Sequence, residues 1–166
     1  TSGTERRIML YLVATPIGNL GDITFRAAEA LRSADVIACE DTRRSLALLN
    51  HLEIKKPLLS CHKFNERASG EKILALLREG KTVAVITDAG MPVVSDPGNL
   101  LVKMLIEAGE PYTVLPGACA CVTALAFGGL DADRFCFLGF LPEKNAEREA
   151  LLAAYRNVRA TLVFYS

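Results

Sequence analysis

The chain has 166 residues, 51% hydrophobic and 23% charged, a globular composition with room for one domain of ordinary size. A fold of that length buries roughly 70% of the surface its unfolded chain exposes, so it needs neither disulfides nor a structural metal. Nineteen Lys and Arg offset nineteen Asp and Glu, which excludes a wholesale polycation that coats nucleic acid by charge alone.

Residues 1–7 read as a polar, disordered tail. Beyond them, short apolar runs alternate with amphipathic stretches. The run 8–14 (IMLYLVA) predicts a strand buried on both faces, and 15–22 (TPIGNLGD) a loop. Asp22 offers a cap for a helix over 23–34. Strand 35–39, helix 43–52, strand 57–61 and helix 66–79 follow, the last ended by Gly80 at its C′ position. A β-branched strand over 81–87 leads into a loop over 88–98, then a helix over 99–108 that stops at Gly109. A fifth strand, Tyr112–Leu115, and a helix over 118–127 complete the series.

Near-continuously apolar strands separated by helices indicate an α/β fold: an open, mostly parallel five-stranded sheet with helices on both faces. Crossovers should be right-handed. The rhythm changes at about Asp133. A strand over 134–139, a charged helix over 143–156 and a strand over 160–165 form a β-α-β piece. The expected organisation is an N-terminal α/β domain over 8–132 and the start of a truncated second α/β domain over 133–166.

Charge is uneven along the chain. From Arg43 to Lys81 there are nine bases (Arg43, Arg44, Lys55, Lys56, Lys63, Arg67, Lys72, Arg78, Lys81) against four acids (Glu53, Glu66, Glu71, Glu79). A polyanion, if one binds, would meet this stretch, although on charge alone two solvated helix faces are the favoured reading. The five cysteines lack CxxC spacing and only His51 and His62 could join them, so no metal site is expected. The absence of a long apolar run argues against a membrane span, and the default expectation is a cytoplasmic protein.

In open α/β sheets, ligands sit beyond the carboxyl ends of the strands. The turn-rich segments of this chain fall at those ends. TPIGNLGD follows strand one, Glu40-Asp41-Thr42-Arg43 strand two and His62-Lys63-Phe64-Asn65-Glu66 strand three. Asp88-Ala89-Gly90-Met91-Pro92 follows strand four and Pro116-Gly117-Ala118-Cys119 strand five. No GxGxxG, GxxxxGK[ST] or GxSxG is present, which removes the main support for dinucleotide, P-loop and nucleophile-elbow chemistry. Asp88 either accepts hydrogen bonds from a ligand or caps its own loop. His62 either lines a site or sits on the surface while Asn65 caps the next helix. Glu40 and Asp41 either serve a site or pair with Arg43 and Arg44 at a helix start.

TPIGNLGDIT, ACEDTRR, CHKFNER, TDAGMPVVSDPG, LPGACA and FCFLGFLPEK, in this order, resemble segments of the tetrapyrrole-methylase-like S-adenosylmethionine methyltransferases. Within that family they are most similar to the branch that methylates the cytidine 2′-O of small-subunit (16S) ribosomal RNA. The resemblance runs from about Leu10 to Ser166. It implies two α/β domains with S-adenosylmethionine in the cleft between them, a ribosomal RNA partner and a homodimer.

Position by position, the resemblance implies cofactor contacts at Pro16, Ile17 and Gly18, at Asp88, Ala89, Gly90 and Met91, and at Cys119 and Ala120. Met91 stands where the branch usually has Thr, which removes a hydroxyl but spares a backbone contact. The Glu40–Arg43 and His62–Glu66 segments are candidates for RNA contact or acceptor positioning. Arg43, Arg44, Lys63, Asn65 and Arg67 are the candidate RNA-binding residues, and Asp41, His62 and Glu66 the candidate proton acceptors. Two other readings stay open: methylation of a tetrapyrrole or another small molecule, and a truncated fragment that binds without catalysing.

Overall fold

The computed structural model describes residues 7–95 and 97–166. The expected tail over 1–7 therefore lies, Arg7 apart, outside the described residues.

The chain divides into two compact units, one ending at Ala118 and one running from Cys119 to Ser166. In the first, β1 (Leu10–Val13), β2 (Val36–Cys39), β3 (Leu58–Ser60), β4 (Val83–Val85) and β5 (Tyr112–Leu115) form one sheet in the order β3-β2-β4-β1-β5. Every pairing is parallel, with Leu10 opposite both Val83 and Tyr112, and Ile37 opposite both Leu58 and Ala84. The helices between them are α1 (Phe25–Ser33), α2 (Thr42–His51), α3 (Glu66–Arg78) and α4 (Asn99–Ala108).

Strand periodicity divides the apolar residues between two cores. Leu10, Leu12, Ala38, Val83 and Val85 point to one face, where they pack with Ile73, Leu77, Leu101 and Leu105 of α3 and α4. Val13, Ile37, Cys39, Ala84 and Ile86 point to the other and meet Ala27, Leu31 and Leu49 of α1 and α2. The strand order explains this division. The chain steps towards β3 through α1 and α2, then reverses through α3 and α4, and a constant crossover hand puts the two pairs on opposite faces. Leu31, Ile73 and Leu101 have no solvent exposure, and truncating any one to Ala would cost about 2–5 kcal/mol.

Two caps differ from expectation. Asp22 ends a 3-10 turn, Leu20–Asp22, and the cap of α1 is Thr24, whose Oγ1 accepts from the Ala27 amide at 3.0 Å. The 3-10 turn consumes the residues that would otherwise have started the helix. Asn65 occupies the N-cap position of α3 but caps nothing in that helix. Gly80 (φ 83) and Gly109 (φ 67) stop α3 and α4 as expected, in the left-handed region that glycine adopts without a Cβ penalty.

The second unit contains α5 (Ala120–Gly128), β6 (Phe135–Phe140), α6 (Asn145–Ala154) and β7 (Thr161–Tyr165). β6 and β7 pair in parallel, so the β-α-β piece is present. Within this unit α5 packs on β7. The Cys121 amide donates to Tyr165 Oη at 3.1 Å, and the Tyr165 ring meets Phe137 and Phe140 edge-on at 4.9 and 5.4 Å.

Candidate functional site

The sheet order sets the carboxyl-end loops in a row: 61–65 after β3, 40–41 after β2, 86–90 after β4, 14–18 after β1 and 116–118 after β5. The candidate RNA residues thus occupy the β3 and β2 end. In the first unit, the candidate cofactor residues occupy the β4 and β1 positions. Adjacent strands whose connections leave to opposite faces open a crevice at their carboxyl ends, and β4 and β1 are such a pair.

The β4 and β1 loops are joined. Thr15 and Gly90 exchange both backbone hydrogen bonds, at 3.1 and 3.0 Å, in an isolated antiparallel bridge. Thr15 Oγ1 donates to the Thr87 carbonyl at 3.4 Å. Gly90 has φ 78, and a Cβ there would meet Ile17 Cγ2 at 3.2 Å, so a side chain would be both strained and crowded. Gly117 lets the β5 loop reach Ala14, whose Cβ would lie only 2.8 Å from an added one. Pro16 and Ile17 are half-buried, and Gly18 and Ala89 are exposed. Met91 is half-buried at the start of a segment in which Val93 and Ser95 hold φ 77 and 56, a strained backbone for non-glycine residues. Cys119 and Ala120 belong to the second unit, at the start of α5.

Asp88 joins the β4 loop to the β2 loop beside it. Its Oδ1 accepts from the Asp41 amide at 3.2 Å and its Oδ2 lies 3.5 Å from Arg44 Nη1. Asp41 caps α2 by accepting from the Arg43 amide at 2.9 Å, and Arg44 approaches it at 4.0 Å. The helix-start reading of the Glu40–Arg44 segment therefore describes part of its structure. Arg43, Arg44, Lys63 and Arg67 are all exposed.

In the next loop, Asn65 Oδ1 accepts from the His62 amide at 2.8 Å and its Nδ2 donates to the Ser60 carbonyl at 3.1 Å. Asn65 thus holds the loop that precedes it. His62 Nδ1 accepts from the Phe64 amide at 3.1 Å, so a neutral imidazole carries its proton on Nε2 and presents a donor there. Glu66 Oε1 accepts from the Gly98 and Leu100 amides at 2.8 and 3.0 Å, capping α4 from α3. Of the three candidate proton acceptors, Glu66 is engaged in holding α4, His62 presents N–H, and Asp41 Oδ2 is approached only by the Arg44 guanidinium, at 4.0 Å.

A cavity of about 110 Å³ lies between the β4 and β1 loops and α2, lined among others by Thr15, Pro16, Ser45, Thr87 and Asp88. Ser45 Oγ is buried without a well-formed hydrogen bond, beside the Cys39 thiol, whose pKa burial pushes up. Three hydroxyls, one lacking a good partner, and a carboxylate suit a hydroxylated or cationic ligand. Small-molecule sites usually measure roughly 300–1,000 Å³, so this cavity would take only part of a nucleoside-sized one.

The family model for Tetrapyrrole (Corrin/Porphyrin) Methylases matches residues 9–166. The chain belongs to that family. Curated relatives named Ribosomal RNA small subunit methyltransferase I are similar to this chain. The protein from Halalkalibacterium halodurans is 49% identical over 94% of the chain and 54% of its own length. That from Haemophilus influenzae is 49% identical over 98% and 57%. The chain therefore spans about half the length of these relatives. Among solved structures, a uroporphyrin-III-C-methyltransferase from Thermus thermophilus aligns at TM-score 0.60 and 28% identity, over 80% of this chain and 63% of that one.

Methylases of this family depend on S-adenosylmethionine in general. The hydroxyls and carboxylate of the small cavity fit the polar parts of that cofactor, and the cavity's size fits a fraction of it. Sequence reasoning missed Ser45, which sits inside a regular amphipathic helix with no signal to set it apart. Glu40, in a segment named for RNA contact or acceptor positioning, was not singled out as a proton acceptor. Burial and then the charge of Asp88 raise the pKa of the Glu40 carboxyl above the ordinary value, against a hydrogen bond from the Asp88 backbone and the charge of Arg44. Among the described residues, no group of three or more His, Cys, Asp or Glu is arranged to hold a metal, and no helix is long and apolar enough to cross a membrane.

Proposed function

We propose that this methylase transfers a methyl group from S-adenosylmethionine to the 2′-hydroxyl of a cytidine in small-subunit ribosomal RNA. The observation that carries the reading is the row of loops, with cofactor candidates at β4 and β1, RNA candidates at β3 and β2, and Asp88 hydrogen-bonded between them. The identity near 49% to relatives named for a ribosomal RNA activity supports RNA over a tetrapyrrole, for which the Thermus likeness is 28%. The family's inter-domain cleft, the domain division 8–132 and 133–166, a homodimer and a cytoplasmic location belong to the same proposal.

When bound, the cofactor supplies an electrophilic methyl group on a sulfonium. Asp88 would accept from its hydroxyl or ammonium groups, and the Pro16–Gly18 and Ala89–Met91 segments would hold the remainder. Arg43, Arg44, Lys63 and Arg67 hold RNA phosphates. A ribose hydroxyl is a weak nucleophile, so alignment does most of the work and a proton acceptor helps. Asp41 Oδ2 and the neighbouring Glu40 fill that role. His62 donates to the acceptor nucleotide through Nε2–H, while Asn65 and Glu66 act through the loop and helix they hold.

The test is calorimetric titration of the chain with S-adenosylhomocysteine, then transfer of labelled methyl to small-subunit RNA by this chain and by one extended to its relatives' length. Saturable binding weakened at least about tenfold in Asp88→Ala is expected. Label should appear as 2′-O-methylcytidine after nuclease digestion, with little turnover by the shorter chain. Turnover of a free tetrapyrrole in place of RNA would reverse the reading, and a folded extended chain that binds no cofactor would overturn it.

A further inference from the structure

Phe64 is 90% exposed at the tip of the β3–α3 loop, and the loop is built to keep it there. Asn65 ties the His62 amide to the Ser60 carbonyl, and its own amide donates to the His62 carbonyl at 3.2 Å. The Phe64 amide is anchored on His62 Nδ1, and the imidazole stands edge-on to the phenyl ring at 6.1 Å and 63°. The backbone on both sides of the ring is thus held by hydrogen bonds, with His62 behind it and its other surface open. Exposed Lys63 and Arg67 flank it in sequence, and the exposed Arg43 and Arg44 follow the adjacent strand. The one acid of the segment, Glu66, is turned onto the α4 amides.

We propose that Phe64 is a stacking platform for an unpaired base of the RNA, with the flanking Lys63 and Arg67 on the adjoining phosphates. The inference rests on the RNA reading above and names the residue that would engage a single strand. Every base has a π-face and every nucleotide a negative phosphate, so an outward aromatic among cations matches a single-stranded polyanion. A second protein copy or an apolar peptide would leave these cations desolvated at its interface.

The chain contains no Trp, so Phe64→Trp places a single indole reporter on the loop. A single-stranded RNA oligonucleotide should quench its emission and saturate at the concentration that saturates fluorescence anisotropy of labelled RNA. A duplex of the same sequence should leave it unquenched. Phe64→Ala should weaken single-strand binding about 5- to 150-fold, the loss of one base–aromatic stack, without changing the salt slope. Binding seen by anisotropy with no quenching, and within twofold of normal in Phe64→Ala, would overturn the stack and leave the RNA reading standing. No saturable binding of any RNA by a folded chain would remove both. Emission that shifts to the blue as protein concentration rises without RNA would show that a second copy covers the ring, which also overturns the proposal.

Discussion

The Arg44 guanidinium stands 3.5 Å from the Asp88 carboxylate, joining the start of α2 to the loop after β4. Arg44 is 72% exposed, so the pair adds at most about 1 kcal/mol to stability. Its larger effect is electrostatic, because both charges bear on Glu40 with opposite sign.

That arrangement makes stability depend on pH in a definite direction. The Glu40 carboxyl, raised by burial first and by Asp88 second, binds its proton more tightly in the folded chain than in the unfolded one. Stability contributed by this group is therefore lost as pH rises from the ordinary glutamate value of 4.5 through the raised one. Urea midpoints measured between pH 4 and 7 should show the loss in the wild type and a flatter profile in Glu40→Gln. Asp88→Asn should narrow the window and Arg44→Ala widen it. Identical profiles for wild type and Glu40→Gln would refute the assignment.

Glu66 separates a structural acceptor from a chemical one. Glu66→Ala leaves the Gly98 and Leu100 amides without their acceptor and should cost about 1 kcal/mol in urea denaturation, as loss of a helix cap does. Glu66→Gln keeps an acceptor oxygen and should recover most of that stability together with methyl transfer. A proton-accepting Glu66 would instead leave Glu66→Gln stable and inactive.

Gly117→Ala puts a methyl group 2.8 Å from Ala14 Cβ, a contact that no side-chain rotation can relieve. The ends of β1 and β5 must separate, at about 1–3 kcal/mol. Thermal denaturation should show the drop, and cofactor affinity should fall with it because the β1 loop is displaced. An unchanged midpoint would mean that the two strand ends are more yielding than their packing indicates.

Charge reversal at Arg43, Arg44 and Lys63 should weaken RNA binding uniformly across sequences. Each lost phosphate contact should reduce the slope of log affinity against log salt by about 0.7 for a single strand. Anisotropy titrations at several salt concentrations measure both effects, and an unchanged slope would move the RNA to another face.

The five-stranded sheet was legible because its strands are apolar on both faces, as in Leu10–Val13 and Val83–Val85, and because Gly80 and Gly109 stop their helices. The order of the strands was not legible, since apolar runs of similar length carry no record of their neighbours. That order decides the site. It sets β4 between β2 and β1 and so brings Asp88 against Asp41, 47 positions away. Side-chain direction was equally hidden. Asn65 and Glu66 are suitable residues for the start of α3, yet one turns back onto Ser60 and His62 and the other crosses to α4.

The paired hydrogen bonds between Thr15 and Gly90 have a kinetic consequence. Neither amide can exchange with solvent unless the bridge breaks, and breaking it frees both loops together. The two amides should exchange at a common rate, separate from those of the central strands. A ligand that spans the two loops meets one hinged body, whose single opening step would gate its entry and its release.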